Sequence, residues 1–390
     1  MKSSNTKANH AICRYAGKCG GCQLQNLTYP DQLLLKQKEI IRLIGKYCEI
    51  PPVIGMDSPV HYRHKVQAAF GVSKGGQPIC GVFQSSSHRI VPVDSCMIED
   101  EGADRIVQFI KSMLPSFHIK PYDIRSGRGD LRHVLIRKSR SSGHFMVVLV
   151  TSTGILPGSG NFAKRLVAEF PESETVVQNI NGADTSLVLG KKDKVLYGNG
   201  RLEDTICGKR FLISPRSFFQ VNPQQTEILY SVAVDFAGLT GTETVVDAYC
   251  GTGTIGIVAS DRAKRVIGIE LNPDAIEDAK LNAKRNNVAN IRFVCSDSGK
   301  YLQEFALHPE SRPPEVLFTD PPRSGCSKQF LEAIVSLLPA RIVYVSCNPE
   351  SLARDVAFLA KHGYRIDKVQ PIDMFPYTNH VETVVLLSRQ

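Results

Sequence analysis

Hydrophobic positions change their spacing along the chain, and this change divides it into three segments. Residues 29–47 carry apolar positions at helical spacing after Pro30, which predicts an amphipathic helix. Between about residues 52 and 205, short alternating runs such as HVLIRKS and HFMVVLVTS are separated by Gly, Pro and Ser. These runs predict a mainly antiparallel β domain with one or two helices. From about residue 211, strands alternate with helices, which is the pattern of a parallel α/β sheet.

The last segment contains a glycine-rich turn between its first strand and its first helix. In ETVVDAYCGTGTIGIVAS, Gly251, Gly253 and Gly256 match the pattern G-x-G-x-x-G. Such glycines let the backbone approach a ligand, and the N-terminus of the helix offers unpaired amides. A second strand ends at Glu270, an acid that can accept hydrogen bonds from both hydroxyls of a ribose. NAD enzymes and S-adenosylmethionine enzymes share this arrangement, so these residues leave both cofactors open.

The remaining strand ends favour S-adenosylmethionine. A third strand is followed by Asp297, placed to meet an adenine amino group, and a fourth ends in the stiff turn DPPR, residues 320–323. A fifth strand ends in SCNP, residues 346–349, so its cysteine points to the edge where α/β sheets bind ligands. Residues 363–390 predict two strands joined by a loop. Such a C-terminal strand pair is typical of methyltransferase sheets rather than of NAD domains.

Composition and charge restrict the function classes. The chain has 390 residues, 42% hydrophobic and 22% charged, as in an ordinary globular protein. The longest apolar run, Phe145 to Val150, is too short to span a membrane, and the N-terminus lacks the apolar core of a signal peptide. We therefore expect a cytoplasmic protein whose 11 cysteines are not in disulfides. The net charge of +9 is a moderate bias toward polyanions, and the arginine-rich segment 124–140 fits phosphate contacts and a solvated strand face equally well.

Three cysteines near the N-terminus have the spacing of metal ligands. Cys13, Cys19 and Cys22 form C-x5-C-x2-C, and glycines between them let the backbone bend around a metal. A fourth ligand must come from elsewhere in the chain, and the candidates are Cys48, Cys80, Cys96 and His10. A second C-x2-4-C pair, usual in zinc sites, is missing, which favours an iron–sulfur cluster and leaves zinc as the alternative.

Five motifs in a fixed order give the chain a recognisable family pattern. SFFQVNP, DAYCGTGTIGI, DPPRSG, VSCNP and HVETVVLL resemble the RNA uracil-5-methyltransferase family over nearly the whole chain, and the cysteine loop resembles its iron–sulfur branch, which modifies 23S rRNA. The resemblance implies an α/β fold with a Rossmann-like class I S-adenosylmethionine methyltransferase domain at 206–390. It also implies a smaller, mainly antiparallel β domain that contacts RNA at 51–205, and an N-terminal iron–sulfur loop with a helix at 1–50.

The resemblance also implies roles for individual residues. Cys347 matches the catalytic nucleophile, and Glu382 matches the general base. Positions that match contacts to S-adenosylmethionine are Gln220, Tyr249, Thr254, Glu270, Asp297 and Asp320, although many relatives have asparagine at the position of Thr254. Positions that match the ligands of a [4Fe-4S] cluster are Cys13, Cys19, Cys22 and Cys96. The implied substrate is a single-stranded or looped uridine of 23S rRNA, bound by a monomer without the N-terminal β-barrel, called TRAM, that some relatives carry.

The implied chemistry explains why a cysteine stands at a strand end. Carbon 5 of uridine is a poor nucleophile. When a thiolate adds at carbon 6, carbon 5 becomes part of an enolate and is then nucleophilic. The methyl group is then transferred, and a base removes the proton on carbon 5 so that the thiolate can leave. Cys347 and Glu382 would supply these two groups. The target base must leave its stack to reach them, which is easiest in single-stranded or looped RNA.

Four other functions remain open at this stage. A tRNA uridine-5-methyltransferase would use the same residues on another RNA. An RNA cytosine-5-methyltransferase fits less well, because it needs a second cysteine directly after strand four and Cys326 lies six residues past Asp320. An amino-group methyltransferase would use Asp320-Pro-Pro and would not need Cys347. An iron–sulfur RNA-binding protein would bind RNA without methyl transfer.

Overall fold

Two seven-stranded sheets and one two-stranded hairpin make up the fold. The computed structural model describes residues 13–85, 87, 89–185, 187–307 and 313–390. His10, one of the candidate metal ligands, lies outside these residues. The helices in the described part of the chain are α1 (Tyr29–Ile44), α2 (Glu101–Met113), α3 (Ser159–Glu169), α4 (Pro223–Ala237), α5 (Thr254–Ala259), α6 (Pro273–Arg285), α7 (Ser298–Ala306), α8 (Lys328–Leu337) and α9 (Pro349–Lys361). No helix in these ranges has both the length and the apolar character to cross a membrane.

The central sheet is mostly antiparallel, as the alternating runs predict. Its strands are β1 (Lys65–Val72), β2 (Pro78–Phe83), β3 (Ile90–Pro92), β4 (Leu131–Lys138), β5 (Phe145–Thr151), β6 (Ser173–Ile180) and β7 (Lys192–Tyr197). They lie in the order β3-β2-β1-β4-β5-β6-β7, and only β5 and β6 are parallel, joined through α3. All of β5 is buried, because one face packs in the core with α2 and α3 and the other against Leu202. This burial explains its continuous apolar sequence.

The second sheet has five parallel strands and an antiparallel pair at one edge. Its strands are β10 (Thr244–Ala248), β11 (Arg265–Glu270), β12 (Ile291–Cys295), β13 (Val316–Thr319), β14 (Arg341–Ser346), β15 (Tyr364–Ile372) and β16 (Glu382–Arg389). The order is β12-β11-β10-β13-β14-β16-β15, and a hairpin of β8 (Leu202–Ile206) and β9 (Lys209–Ile213) precedes it in the chain. The strand order reverses between β10 and β13, so ligands are expected beyond the carboxyl ends of these strands.

The N-terminal helix packs on this second sheet rather than on the central one. Ile40 and Ile44 of α1 are fully buried in the same apolar cluster as α9 and β16. Lys36 is also buried, at 2% side-chain exposure, and its Nζ lies 2.6 Å from Oδ1 of Asp373, which is fully buried. The helix predicted over 29–47 begins at Tyr29 and ends at Ile44, close to the prediction.

The arginine-rich segment is only partly available to a ligand. Arg132 and Arg137 are buried, and their guanidinium groups donate to the main-chain carbonyls of Asn181 and Ser217. Both therefore stabilise the fold, because a buried guanidinium needs acceptors for its N–H groups. Arg125, in the turn before β4, stays exposed.

Candidate active site

A tight turn between β10 and α5 forms the floor of the crevice. Tyr249 has a φ of 60°, Gly251 of 54° and Gly253 of 81°, all in the left-handed region. A Cβ on Gly253 would lie 2.9 Å from the ring of Phe293 and 3.2 Å from the Cβ of Ala279. The turn therefore has no room for a side chain at Gly253, whereas Gly251 lines the crevice and has no atom within 4 Å of an added Cβ.

A buried carboxylate supports this turn from inside the sheet. Oδ2 of Asp247, on β10, accepts a hydrogen bond of 2.8 Å from the backbone N–H of Gly256. Burial raises the pKa of Asp247 to about 7, the Gly256 bond opposes this rise, and the negative charges of Asp320 and Glu270 add to it. Asp247 was not among the predicted site residues, although an acid inside an otherwise apolar strand is a detectable signal.

The acids predicted at the ends of the second and third strands flank the turn. Oε2 of Glu270 accepts from the N–H of Gly251 at 3.2 Å, and its Oε1 accepts from the N–H of Asn272 at 2.8 Å. Asp297 caps α7, since its Oδ1 accepts from the N–H of Lys300 at 2.9 Å. Both carboxylates thus have fixed orientations at the carboxyl edge of the sheet.

The other predicted cofactor contacts lie around the same crevice. Thr254 begins α5, and its hydroxyl forms a hydrogen bond of 3.1 Å with the hydroxyl of Tyr230. The ring of Tyr249 packs edge-on against Phe330 at 5.1 Å between centroids. Tyr249, Thr254 and Asp320 line one crevice, and Phe219, next to the buried Gln220, lines it too. The structure therefore places Tyr249, Thr254 and Asp320 on one crevice, and Glu270 accepts from the turn that forms its floor.

Cys347 and Glu382 are neighbours across the edge of the sheet. Strands β14 and β16 are antiparallel, and Ser346 pairs with Thr383. Cys347 follows Ser346, and Glu382 precedes Thr383, so both adjoin the last pair of the ladder, and Glu382 is close enough for its charge to act on the thiol. Cys347 is half-buried, while Glu382 is 2% exposed.

Burial and the negative charge of Asp320 shift the pKa values of Cys347 and Glu382. Burial raises the pKa of Glu382 to about 8, the negative charge of Asp320 adds to the rise, and Arg323 opposes it. Burial likewise raises the pKa of the Cys347 thiol to about 11, with Glu382 and Asp320 adding to the rise and Arg323 opposing it. Burial also raises the pKa of Asp320 to about 7. The site therefore holds weakly acidic groups that can exchange protons near neutral pH.

Asn348 ties the turn that carries the thiol to the turn after β13. Its Nδ2 donates to the carbonyl of Arg323 at 2.9 Å, and its Oδ1 accepts from the N–H of Glu350, at 3.2 Å, as the N-cap of α9. The hydroxyl of Ser346 donates to the carbonyl of Asn348 at 3.0 Å. Sequence reasoning treated Asn348 only as part of a motif, and its bridging contact becomes visible only in the fold.

The N-terminal cysteines lie near one another, but with the other described residues they form no group that could hold a metal ion. Burial raises the pKa values of the Cys19 and Cys22 thiols, and the nearby Cys13 adds to both. Cys22 and Cys96 pack against the same small apolar cluster, whereas Cys80 is buried in the core of the central sheet. No three His, Cys, Asp or Glu side chains in the described ranges form a group that could hold a metal ion. As they stand, the side chains do not fit a cluster.

Comparison with known proteins gives one consistent family. The sequence profile of the tRNA (uracil-5-)-methyltransferase family matches residues 189–390. An uncharacterised RNA methyltransferase of Clostridium acetobutylicum is 44% identical, over 97% of this chain and 83% of that protein. Another, of Halalkalibacterium halodurans, is 43% identical over the same shares.

A solved structure is similar across both sheets. The tRNA (uracil-54, C5)-methyltransferase of Pyrococcus abyssi, in complex with S-adenosyl-L-homocysteine, superposes with a TM-score of 0.77 at 28% identity. The match covers 95% of this chain and 86% of that one. The likeness therefore extends beyond the α/β sheet to the central sheet.

The glycine turn provides a direct test of the crevice. We expect Gly253→Ala to weaken binding of S-adenosylhomocysteine by about tenfold or more, because a Cβ there meets Phe293 and Ala279 and must displace the turn. Isothermal titration calorimetry measures the change. Gly241→Ala is the control, since Gly241 also has a positive φ but no atom within 4 Å of an added Cβ. Equal affinities of the two variants would show that the turn does not hold the cofactor.

Proposed function

The chain belongs to the RNA uracil-5-methyltransferase family, and on this premise we propose that it methylates carbon 5 of a uridine in 23S rRNA. It is an RNA methyltransferase of class I that uses S-adenosylmethionine. The observation that carries the proposed mechanism is the position of Cys347 beside Glu382 at the edge of the sheet. Neither residue type is required at that place by packing alone.

In the proposed reaction, Cys347 acts first. At neutral pH its thiol is mostly protonated, and the positive charge of Arg323 favours the thiolate. The thiolate forms a bond to carbon 6 of uracil, and the electrons of the carbon 5–carbon 6 double bond move into an enolate. Bound S-adenosylmethionine supplies the methyl group that carbon 5 then takes. The half-buried position of Cys347 leaves its sulfur accessible to a base turned out of the RNA.

Glu382 completes the proposed reaction. As a carboxylate it removes the proton from carbon 5, the electron pair restores the double bond, and the bond between carbon 6 and the Cys347 sulfur breaks. A pKa of about 8 makes Glu382 a stronger base than an exposed glutamate. Burial also keeps water away from the carboxyl group.

The residues around the glycine turn would hold the cofactor. The backbone at Gly251 leaves space for its polar groups, and Glu270 is oriented to accept ribose hydroxyls. Asp297 would meet the adenine. Tyr249, Thr254, Gln220 and Asp320 would complete the contacts, and the charge of Asp320 also reaches Cys347.

The choice of 23S rRNA over tRNA rests on the cysteine motif at residues 13–22. The second candidate substrate is tRNA, and a specific observation favours it, since the similar structure from Pyrococcus abyssi is a tRNA uracil-54 methyltransferase. Both substrates demand the same chemistry from Cys347 and Glu382. The first experiment therefore offers both RNAs.

Loss of Cys347 should abolish product formation on either RNA. We expect wild-type protein to place label from S-adenosylmethionine on 5-methyluridine in unmodified 23S rRNA, and Cys347→Ala to lose at least about a thousandfold in rate, since no other group can activate carbon 5. Nucleoside mass spectrometry identifies the product. Cys207→Ala, another half-buried cysteine outside the crevice, should keep wild-type activity. Label in tRNA alone would select the second substrate, and activity that survives Cys347→Ala would exclude the thiol mechanism.

The ionisation of Glu382 predicts the direction of a pH dependence. Its carboxylate is the active form, so breakdown of the methylated adduct should become faster with pH up to its pKa of about 8, about tenfold for each unit below it. Glu382→Gln should stop after methyl transfer and accumulate RNA linked to Cys347. Denaturing gels of the quenched reaction show this complex as a slower band. Normal turnover by Glu382→Gln, or a rate that falls between about pH 6 and 8, would rule out this role.

The cysteine loop carries a separate proposal with no part in the methyl step. We propose that Cys13, Cys19, Cys22 and Cys96 hold a [4Fe-4S] cluster, supported by the motif and by the packing of Cys22 and Cys96 against one small apolar cluster. The thiols must rearrange to do so, because they form no metal-binding group as they stand.

Iron and acid-labile sulfide content test the cluster directly. Protein purified without oxygen should contain about four of each per chain, and Cys19→Ser should lose most of both. Cys80→Ser is the control, since Cys80 lies in the core of the central sheet. Protein that contains zinc, or no metal, under the same conditions would mean that the cluster assignment is wrong.

A further inference from the structure

A cavity of about 660 Å³ opens directly at Cys347. One wall is α1, and the other is formed by the N-terminus of α9 and by the loop before β16. Arg42 of α1 and Glu350 of α9 are close enough for their charges to interact, so the two helices lie close together at this point. A volume of this size suits a small organic ligand, such as one or two nucleotides, rather than a folded partner. We call it the α1 groove and define it by Leu35, Lys38, Arg42, Arg323 and Cys347.

The charged side chains of the α1 groove favour an anion. Four cationic residues line it against two acids, Glu39 and Glu350. Lys36 is neutralised by Asp373, and Arg42 pairs with Glu39 on the same helix. Lys38 is exposed and has neither an ion pair nor a hydrogen bond in the part of the chain that the structure describes. An exposed ammonium without a partner is the group that a phosphate can bind at the smallest cost in broken contacts.

An apolar surface accompanies these charges. Leu35 is 45% exposed on α1 and lines the same wall as Lys38. At the inner end, the guanidinium of Arg323 contacts the ring of His380, with Nη2 at 2.7 Å from its Nδ1. The groove therefore offers cations for a phosphate backbone and an apolar wall for a base, which are the two contacts that single-stranded RNA makes.

We propose that the α1 groove binds the RNA segment next to the target uridine, with Lys38 at a backbone phosphate and Leu35 against a neighbouring base. This proposal rests on the proposed function, because the groove shares its inner end with the Cys347 thiol. A uridine that leaves its stack to reach Cys347 carries its own backbone with it, and that backbone must pass through the mouth of the cavity. The positive charge of Lys38 in the α1 groove complements the negative charge of that backbone.

The test compares two lysine variants with the same change in charge. Lys38→Glu should raise KM for unmodified RNA about tenfold at roughly physiological salt and leave kcat and the affinity for S-adenosylhomocysteine unchanged. The slope of log KM against log salt should fall by about 0.7 for each lost phosphate contact on a single strand. Lys46→Glu is the matched control, since Lys46 is exposed just beyond the end of α1 and does not line the groove. It should keep the wild-type KM and salt slope.

Binding measured without methyl transfer separates this proposal from the proposed function. The same RNA is titrated into Cys347→Ala protein with and without Lys38→Glu or Lys46→Glu. Weaker binding with Lys38→Glu alone supports the groove even if wild-type protein methylates neither RNA, an outcome that would reject the function alone. Equal weakening by both lysine variants would mean a general charge effect, and no change in either would mean that RNA does not enter the groove. Both of these outcomes overturn the proposal.

Discussion

The antiparallel pairing of β16 with β14 is the constraint on which the site depends. In a parallel sheet, ligands bind at the side where the strands have their carboxyl ends. A second functional group must therefore come from the carboxyl end of another strand or from a loop. Because β16 runs the other way, its amino end meets the carboxyl end of β14. Glu382 and Cys347 therefore adjoin the last pair of the ladder, Thr383 and Ser346, which keeps the proposed base beside the proposed nucleophile.

A buried ion pair fixes the loop that leads into β16. Lys36 and Asp373 join α1 to this loop, and removal of one partner would leave an unpaired buried charge at a cost of about 3–5 kcal/mol. The N–H of Tyr377 in the loop donates to Oε1 of Gln32 at 2.8 Å. Helix α1 thus supports the loop that leads to Glu382.

The sequence predicted the elements and strand ends but not the contacts between them. The spacing of apolar residues predicted both the antiparallel and the parallel sheet. Ligands bind at the carboxyl ends of strands in α/β sheets, and this rule pointed to Glu270 and Cys347. Lys36 resembled an ordinary polar position of an amphipathic helix, and its partner lies 337 residues away. Two further contacts join residues that only the fold brings together. Asp247 supports the glycine turn, and Asn348 bridges to the turn after β13.

Trapping the enzyme on RNA that contains 5-fluorouridine tests the central claim most directly. Carbon 5 then carries fluorine and the new methyl group but no proton, so Glu382 has nothing to remove and the thioether to carbon 6 persists. After digestion, mass spectrometry should find methylated fluorouridine on the peptide that contains Cys347. An adduct on another cysteine, such as Cys326, or methyl transfer without any adduct would contradict the account.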